Sequence, residues 1–250
     1  MASHPIYQFY AELDNFKPKV WRRFQVLDDI TVARLGYIVQ VLFEMTASHL
    51  MAIEVPQDEN FRTAWKQRHP DMPVEKYSNI FADSNTIWRY EIMDEDFESF
   101  DSPDIREADA TKTRLRHAVC HTGDRLSVNY DFGDDWRVSL KLEKVFEDKE
   151  LPGGEFPQVI EGAGFGIVED CGGVWGLENL VKAFKRKKGE EYESFREWLG
   201  VDDFDITAFD MTDMNFRLKK IPRIYKQCYE DRRYPTQQSI DLIERKYLRK

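Results

Sequence analysis

The stretch LSVNYDFGDDWRVSLKLEKVF, residues 126–146, decides the fold, because apolar and polar side chains alternate along it. Every second residue from Leu126 to Phe132 is apolar, and so is every second residue from Trp136 to Leu142. Successive side chains of a strand point to opposite faces of a sheet, whereas a helix would scatter these apolar residues around its surface. The Gly-Asp-Asp between the two runs suits a chain reversal, because glycine tolerates positive φ. The stretch therefore predicts a β-hairpin.

The chain before the hairpin predicts further strands and one amphipathic helix. Apolar residues recur at three- and four-residue spacings between Val32 and Phe43, and Thr31 is a candidate N-cap, so a helix is predicted there. Residues 94–109 hold eight acidic side chains and one arginine; we interpret them as a solvated loop, with a cation-binding loop as the alternative. The other predicted elements are strands at 6–13, 20–26, 49–55 and 86–93 and short helices around 61–68 and 113–120.

The chain after the hairpin first becomes rich in glycine and then helical. The segment 151–176 contains eight of the thirteen glycines, which predicts a shaped loop and no regular element. Residues 217–250 carry eleven basic and four acidic side chains, an excess of seven positive charges on an acidic protein. Helices are predicted from Val174 onward, over 192–200, over 211–221 and in part of 222–250.

These patterns together predict an α+β fold in one domain. A twisted, mainly antiparallel sheet packs against helices over residues 1–221, and residues 222–250 form a basic C-terminal helical extension. The chain has 250 residues, enough to bury a sizeable core, and its 42% hydrophobic content argues against disorder.

The bulk composition bounds the compartment and the partners. A net charge of −10 disfavours non-specific binding to nucleic acid, although the basic extension could still dock it. Three cysteines without regular spacing suit a reducing cytosol better than a disulfide framework. The first residues lack the pattern of a signal peptide, and no apolar run approaches ~18 residues. We therefore expect a cytoplasmic protein with no membrane segment and with an unknown protein or small-molecule partner.

Two signatures, YDFGDDW at 130–136 and EDCGG at 169–173, give the chain its resemblance to a known family. It resembles the plasmid pRi ORF-three-like family, also called the insertion-sequence passenger TnpR-like family. The resemblance spans roughly residues 5–221 and implies a compact α+β domain of uncharacterised activity. Its further segments, in the family's order, are VWRRFQV (20–26), TVARLGYIVQVLF (31–43), SHL (48–50), GVWGLENL (173–180) and FREWLGVDDFD (195–205).

The sequence departs from the family pattern at its cysteines. Many members carry further cysteines upstream of EDCGG, which with one more ligand could hold a tetrahedral zinc. The aligned positions here are Val159 and Gly166, so only Cys171 remains and we expect no zinc there. Many members also have a second histidine two positions after that of SHL, where this chain has Met51.

Carboxylates gather in both signatures. They can hold a hard divalent cation, as in metal-dependent hydrolases and nucleases, or they can serve the turns, by bonding backbone amides and capping the next helix. The candidate acidic cluster consists of Asp131, Asp134, Asp135, Glu169 and Asp170.

Two arginines, a histidine and a cysteine complete the candidate residues. Neighbours on a strand point oppositely, so only one of Arg22 and Arg23 reaches the core, where it could pair with Asp131 or Asp135 or recognise an anion. His49 is a candidate base or a satisfied core residue, and Cys171 a candidate thiol. A formal zinc set, weaker than the acidic cluster because the helix ends near Thr122-Gly123, consists of His117, Cys120, His121 and Cys171.

Two functional hypotheses follow. The first is a non-catalytic binding or interaction module, because the signature residues are mostly apolar and turn positions with no poised acid and base. The second is a divalent-metal-dependent hydrolase or nuclease that uses the acidic cluster. No cofactor is indicated: the glycines at 162–166 lack the Lys-Ser/Thr of a phosphate loop, and no nucleophile-elbow motif is present.

Overall fold

The computed structural model describes residues 4–73, 86–94, 97–99 and 102–245. Its strands join in one eight-stranded sheet with the order β5-β4-β3-β6-β7-β1-β2-β8. Neighbouring strands are antiparallel except for β4 and β5, which are parallel. The strands are β1 (Ile6–Leu13), β2 (Trp21–Leu27), β3 (Met51–Pro56), β4 (Ile87–Glu91), β5 (Ile105–Asp109), β6 (Arg125–Tyr130), β7 (Trp136–Phe146) and β8 (Gln158–Ala163).

Helices pack against this sheet and against one another, which confirms the predicted α+β class. Thr31 caps α1 as expected, since its hydroxyl accepts a hydrogen bond from the Arg34 amide at 3.1 Å. No described helix combines the length and the apolar character that a bilayer crossing needs. The helices are α1 (Val32–Leu42), α2 (Gln57–Arg68), α3 (Leu115–Ala118), α4 (Gly173–Arg186), α5 (Glu190–Leu199), α6 (Met211–Leu218), α7 (Ile221–Tyr229) and α8 (Gln237–Ile243).

The predicted hairpin is confirmed as β6 and β7, which pair from Arg125 opposite Lys141 to Tyr130 opposite Trp136. The alternation separates two faces of the sheet. One face is buried and packs on α1, where Gly36 lies against the side chains of Met51 and Ile53. The opposite face carries polar side chains. Phe132 departs from the pattern, since it is exposed at the hairpin tip and does not continue the buried row.

Two segments predicted as loops contain strands. In the acidic run, β5 pairs with β4 at the edge of the sheet, so the loop prediction is wrong for 105–109. In the glycine-rich segment, β8 pairs with β2, so the prediction of an irregular loop is wrong for 158–163. The amide side chain of Asn215 bonds the N–H and the C=O of Val159 at 2.8 and 2.9 Å. That pair of bonds satisfies the backbone of Val159 at the outer edge of the strand, which a local sequence pattern does not reveal.

The segment after residue 221 begins with a helix that contributes to the core. Tyr225 of α7 is fully buried, and its hydroxyl donates to the carbonyl of Met45. The predicted helical character of the extension is therefore present in α7 and α8. The domain boundary at 221 stays a prediction, and residues 246–250 lie outside the described part of the chain.

Candidate functional site

The hairpin tip and the glycine-rich segment, which carry the two family signatures, are in contact. The Asp134 carboxylate accepts a hydrogen bond from the Gly172 amide at 3.2 Å. Gly173 has φ +68°, and a Cβ at this position would lie 2.5 Å from the Asp134 carbonyl oxygen. Only glycine permits so close an approach. The start of α4 is thus held against the hairpin tip, and the acids that precede it are brought to the tip.

Three carboxylates converge on one imidazole at this junction. His49 Nε2 lies 3.6 Å from Asp131 Oδ2, 3.8 Å from Glu169 Oε2 and 3.4 Å from Asp170 Oδ1. The ligand atoms of His49, Asp131 and Asp170 all lie within 4.8 Å of one another. We call these four residues the His49 site. Asp170 is 73% exposed and opens the site to solvent, whereas Asp131 and Glu169 are mostly buried.

Asp131 divides its two oxygens between the turn and the site. Its Oδ1 accepts hydrogen bonds from the amides of Gly133 at 3.1 Å and Asp134 at 3.4 Å. The residue adopts φ +53°, a left-handed conformation that aspartate tolerates better than most residues. Its Oδ2 is left facing His49. Both alternatives predicted for this residue, turn chemistry and convergence on a site, are therefore present in one side chain.

Glu169 forms the inner wall of the site. Its Oε1 accepts hydrogen bonds from the Thr46 amide at 2.7 Å, the Thr46 hydroxyl at 3.0 Å and the Tyr130 hydroxyl at 2.8 Å. Its Oε2 is buried and has no hydrogen-bond partner. Burial and the neighbouring Glu169 carboxylate raise the pKa of Tyr130, so its hydroxyl remains a donor at neutral pH. An anchored carboxylate with one free buried oxygen is therefore aimed at His49.

The loop that carries His49 is held from behind by α7. The hydroxyl of Tyr229 donates to the His49 carbonyl and lies 3.3 Å from Gln40 Oε1. Together with Tyr225 on Met45, this bond fixes the loop between α1 and β3. Sequence reasoning missed Tyr229, Tyr130 and Thr46 as supports of the site. The spacing of two tyrosines by one helical turn was the available signal, but it does not reveal which loop they contact.

The site has an excess of negative charge. Within the described residues, none of its three carboxylates forms an ion pair with lysine or arginine, and the imidazole is the only side-chain nitrogen that pairs with them. Like charges this close repel unless a cation lies between them. One imidazole nitrogen with carboxylate oxygens is a ligand set that Zn²⁺, Mn²⁺ and related divalent ions accept. The geometry suits a divalent metal better than a base that acts alone.

The family follows from a direct sequence match. The sequence profile of the plasmid pRiA4b ORF-3-like family matches residues 5–213. The chain belongs to this family. The matched range includes all four residues of the His49 site and stops before Tyr229.

One protein resembles this plasmid pRiA4b ORF-3-like chain in sequence, and another resembles it in structure. The chain is 28% identical over 204 residues to the uncharacterized protein y4hQ of Sinorhizobium fredii. The match covers 81% of this chain and 85% of that protein. Its structure is similar to the crystal structure of MM3350, a protein of unknown function from Methanosarcina mazei Go1. The TM-score is 0.61 at 25% sequence identity, with 83% of this chain and 95% of that chain covered.

Arg22 of this plasmid pRiA4b ORF-3-like chain points into the core, but the predicted ion pair with Asp131 or Asp135 is wrong. Its guanidinium donates to five backbone carbonyls at 2.7–3.0 Å. Burial lowers its pKa to about 9. All five N–H groups are used, so none is left for an anion. The acceptors belong to Trp21, Leu42, Ala163, Gly164 and Phe165.

Arg23 and the two remaining acids lie outside the His49 site. Arg23 points to the polar face and pairs with Glu143 and Glu161. Asp134 bonds the Gly172 amide and holds the two signatures together. Asp135 is exposed and lines a cleft on the polar face.

The cysteines do not assemble into the formal zinc set. Among the described residues, Cys120 groups with His121 and Asp124, without His117 or Cys171. The Asp124 carboxylate in that group already accepts the amides of Cys120 and His121, each at 2.8 Å. Burial and the nearby acids raise the pKa of Cys171 to about 12. Its thiol therefore stays protonated at neutral pH and is a poor nucleophile.

Proposed function

We propose that this protein binds one divalent transition-metal ion at the His49 site. The convergence of Asp131 Oδ2, Glu169 Oε2 and Asp170 Oδ1 on His49 Nε2 carries the proposal. The ligands would be this imidazole nitrogen and the oxygens of Asp131 and Asp170, which lie within 4.8 Å of one another, and Glu169 Oε2 would face the ion from the buried side. Thr46 and Tyr130 would act as outer partners that orient Glu169.

The reaction class that such a centre supports is hydrolysis. A bound divalent ion lowers the pKa of water and polarises carbonyl or phosphoryl oxygens. The exposed Asp170 gives water and substrate access to this ion. This chemistry favours the metal-dependent hypothesis over a purely non-catalytic module, and it needs no thiol or phosphate loop.

Docking of nucleic acid by the basic extension receives less support. Arg217 and Arg245 form ion pairs with Glu44 inside the fold, and Arg245 also pairs with Asp213. The positive excess in the sequence thus overstates the charge that faces solvent. We keep the metal centre as the proposed function.

Calorimetric titration with ZnCl₂ and MnCl₂ tests the proposal. We expect one saturable site per chain, and His49→Gln or Asp131→Asn should weaken binding by at least about 100-fold, the upper end of what outer-shell residues contribute. Asp148→Asn is the matched control, because Asp148 accepts turn amides of Glu150 and Leu151 as Asp131 does with its own turn. Binding that is absent, or that survives both site variants, would refute the proposal.

A further inference from the structure

A second feature, separate from the His49 site, is a cleft of about 860 Å³ on the polar face of the sheet. Strands β3, β4, β6 and β7 form its floor, and the hairpin tip and the end of α7 form its borders. Small-molecule sites occupy clefts of roughly 300–1,000 Å³ with a few convergent polar groups. The size is therefore that of a ligand of a few hundred daltons.

Asn129 supplies an unused polar atom in this cleft. The residue is 5% exposed, and its side-chain oxygen is buried without a hydrogen-bond partner. Buried polar atoms in native proteins are almost always paired, so an orphan in a cleft points to a partner that enters from outside. An acceptor of this kind calls for an N–H or O–H donor.

The charges beside Asn129 are only partly paired. Arg89 is neutralised by Glu54 at 2.7 Å and by Glu91. Arg137 lies directly opposite Asn129 in the hairpin register, and its guanidinium forms no ion pair with any described residue. The Asp135 carboxylate at the tip is likewise without one among these residues. Glu98 also lines the cleft and forms no ion pair with a described residue, so the cleft offers the positive charge of Arg137 and the negative charges of Asp135 and Glu98.

Apolar surface completes the cleft. Phe132 is 48% exposed and its ring lies 5.2 Å from the Arg89 guanidinium carbon. Leu50 is 67% exposed on the same rim. Large apolar side chains that are exposed together at a concave site mark a surface for an apolar group of a ligand.

We propose that this cleft binds a short zwitterionic peptide with an apolar side chain. Arg137 takes the terminal carboxylate, because guanidinium groups bind carboxylates through charge-assisted hydrogen bonds. Asn129 accepts a peptide N–H, and Asp135 faces the terminal ammonium. The apolar side chain lies on Phe132 and Leu50. Binding at this cleft does not require the metal, so it goes beyond the proposed function.

Titration of the metal-free protein in EDTA tests the proposal with the tripeptide Gly-Phe-Gly. We expect saturable binding, and amidation of the C-terminus or acetylation of the N-terminus should each weaken it by about tenfold, the equivalent of ~1.4 kcal/mol. Gly-Phe-Gly that does not bind at millimolar concentration would overturn the proposal. An amidated peptide that binds as tightly as the free acid would overturn it too. Because metal is absent, failure here is independent of the His49 site.

Variants of the cleft locate the binding. Arg137→Gln should lower affinity by about tenfold and abolish the preference for the free carboxylate. Arg125→Gln is the control, since Arg125 is exposed on the same hairpin but does not line the cleft. An Arg137→Gln variant that keeps the preference would overturn the proposal even if the peptide binds.

Asn129→Leu separates a ligand role from a structural one. Loss of a partnerless buried amide should leave the melting temperature unchanged or raise it by about 2–4 °C, while peptide affinity falls by about tenfold. Unchanged affinity would overturn the role of Asn129. If this variant does not fold, the orphan amide has a structural role, and that outcome also counts against the proposal.

Discussion

Two carboxylate clusters, one buried and one open to solvent, flank the same loop and differ in how their charges are paired. Glu44 accepts hydrogen bonds from both Arg217 and Arg245, and Arg245 also pairs with Asp213. These four residues, which we call the Glu44 cluster, hold two negative and two positive charges. The His49 site, which includes the histidine five residues further along the loop, holds three carboxylates and one imidazole.

This difference in charge pairing suggests a structural role for the Glu44 cluster and a functional role for the His49 site. Buried ions are tolerated when each has a partner, and the Glu44 cluster satisfies that condition with side chains of the fold. The His49 site does not, because the described residues bring no lysine or arginine to its acids. The charges of the Glu44 cluster are therefore balanced within the fold, whereas under the proposed function a bound cation balances those of the His49 site.

The largest expected effect is on the Glu44 cluster. Glu44→Gln leaves the buried Arg217 and the partly buried Arg245 without their shared carboxylate, and we expect a loss of about 3–5 kcal/mol in the free energy of unfolding. Urea denaturation measures it. Glu178→Gln removes an exposed pair with Lys182 and should cost less than ~1 kcal/mol. A loss for Glu44→Gln as small as that of this control would contradict the comparison.

Next in size is the junction that builds the His49 site. Gly173→Ala places a Cβ against the Asp134 carbonyl and should cost about 1–3 kcal/mol while lowering metal affinity. Gly172→Ala is matched, because Gly172 also has positive φ at +88° but nothing lies within 4 Å of its Cβ position. We expect the second variant to be less destabilised and to keep its metal. Equal effects on affinity would show that the contact with Asp134 does not position the site.

A smaller effect is expected from the support behind His49. Tyr229→Phe removes the hydroxyl that holds the His49 carbonyl, and should reduce metal affinity by about tenfold, the lower end for outer-shell partners. Stability should fall by only about 1 kcal/mol. Tyr37→Phe is the control, because Tyr37 stacks on Tyr229 but its hydroxyl bonds Glu230 at 3.2 Å. If calorimetric titration finds the same metal affinity for the two variants, Tyr229 does not support the His49 site.

The smallest expected effect is on the stability of the metal-free protein when Asp131 is replaced, and it distinguishes the His49 site from the Glu44 cluster. In metal-free protein, Asp131→Asn keeps the oxygen that accepts the turn amides and relieves repulsion with two neighbouring acids. The free energy of unfolding should change by less than ~0.5 kcal/mol in either direction. Urea denaturation in EDTA measures it. A loss above about 2 kcal/mol would mean that Asp131 is structural, like Glu44.

The hairpin and α1 are predictable from the sequence because their patterns are local. Period two from Leu126 to Leu142 and the Thr31 cap need no knowledge of distant residues. Strand β8 escapes this reasoning, because its edges are satisfied by β2 and by Asn215, which lies far away in the chain.

The candidate site, too, was only partly predictable from the sequence. Four of the five acids are drawn to the junction, as the two signatures suggested, and three of them face His49. His49 and Tyr229 could not be assigned to it, because their roles depend on how the loop before β3 and α7 meet in three dimensions. The contacts of Arg22 could not be predicted for the same reason, since the five carbonyls that surround it belong to three separate segments of the chain.

Anomalous diffraction from crystals soaked in ZnCl₂ determines whether a metal ion binds at the His49 site. Data collected above and below the zinc edge locate the ion without assumptions about chemistry. We predict one strong peak bounded by His49 Nε2, Asp131 Oδ2 and Asp170 Oδ1, and its loss in Asp131→Asn. A peak at Cys120 and His121 instead, or no peak at the His49 site, would contradict it.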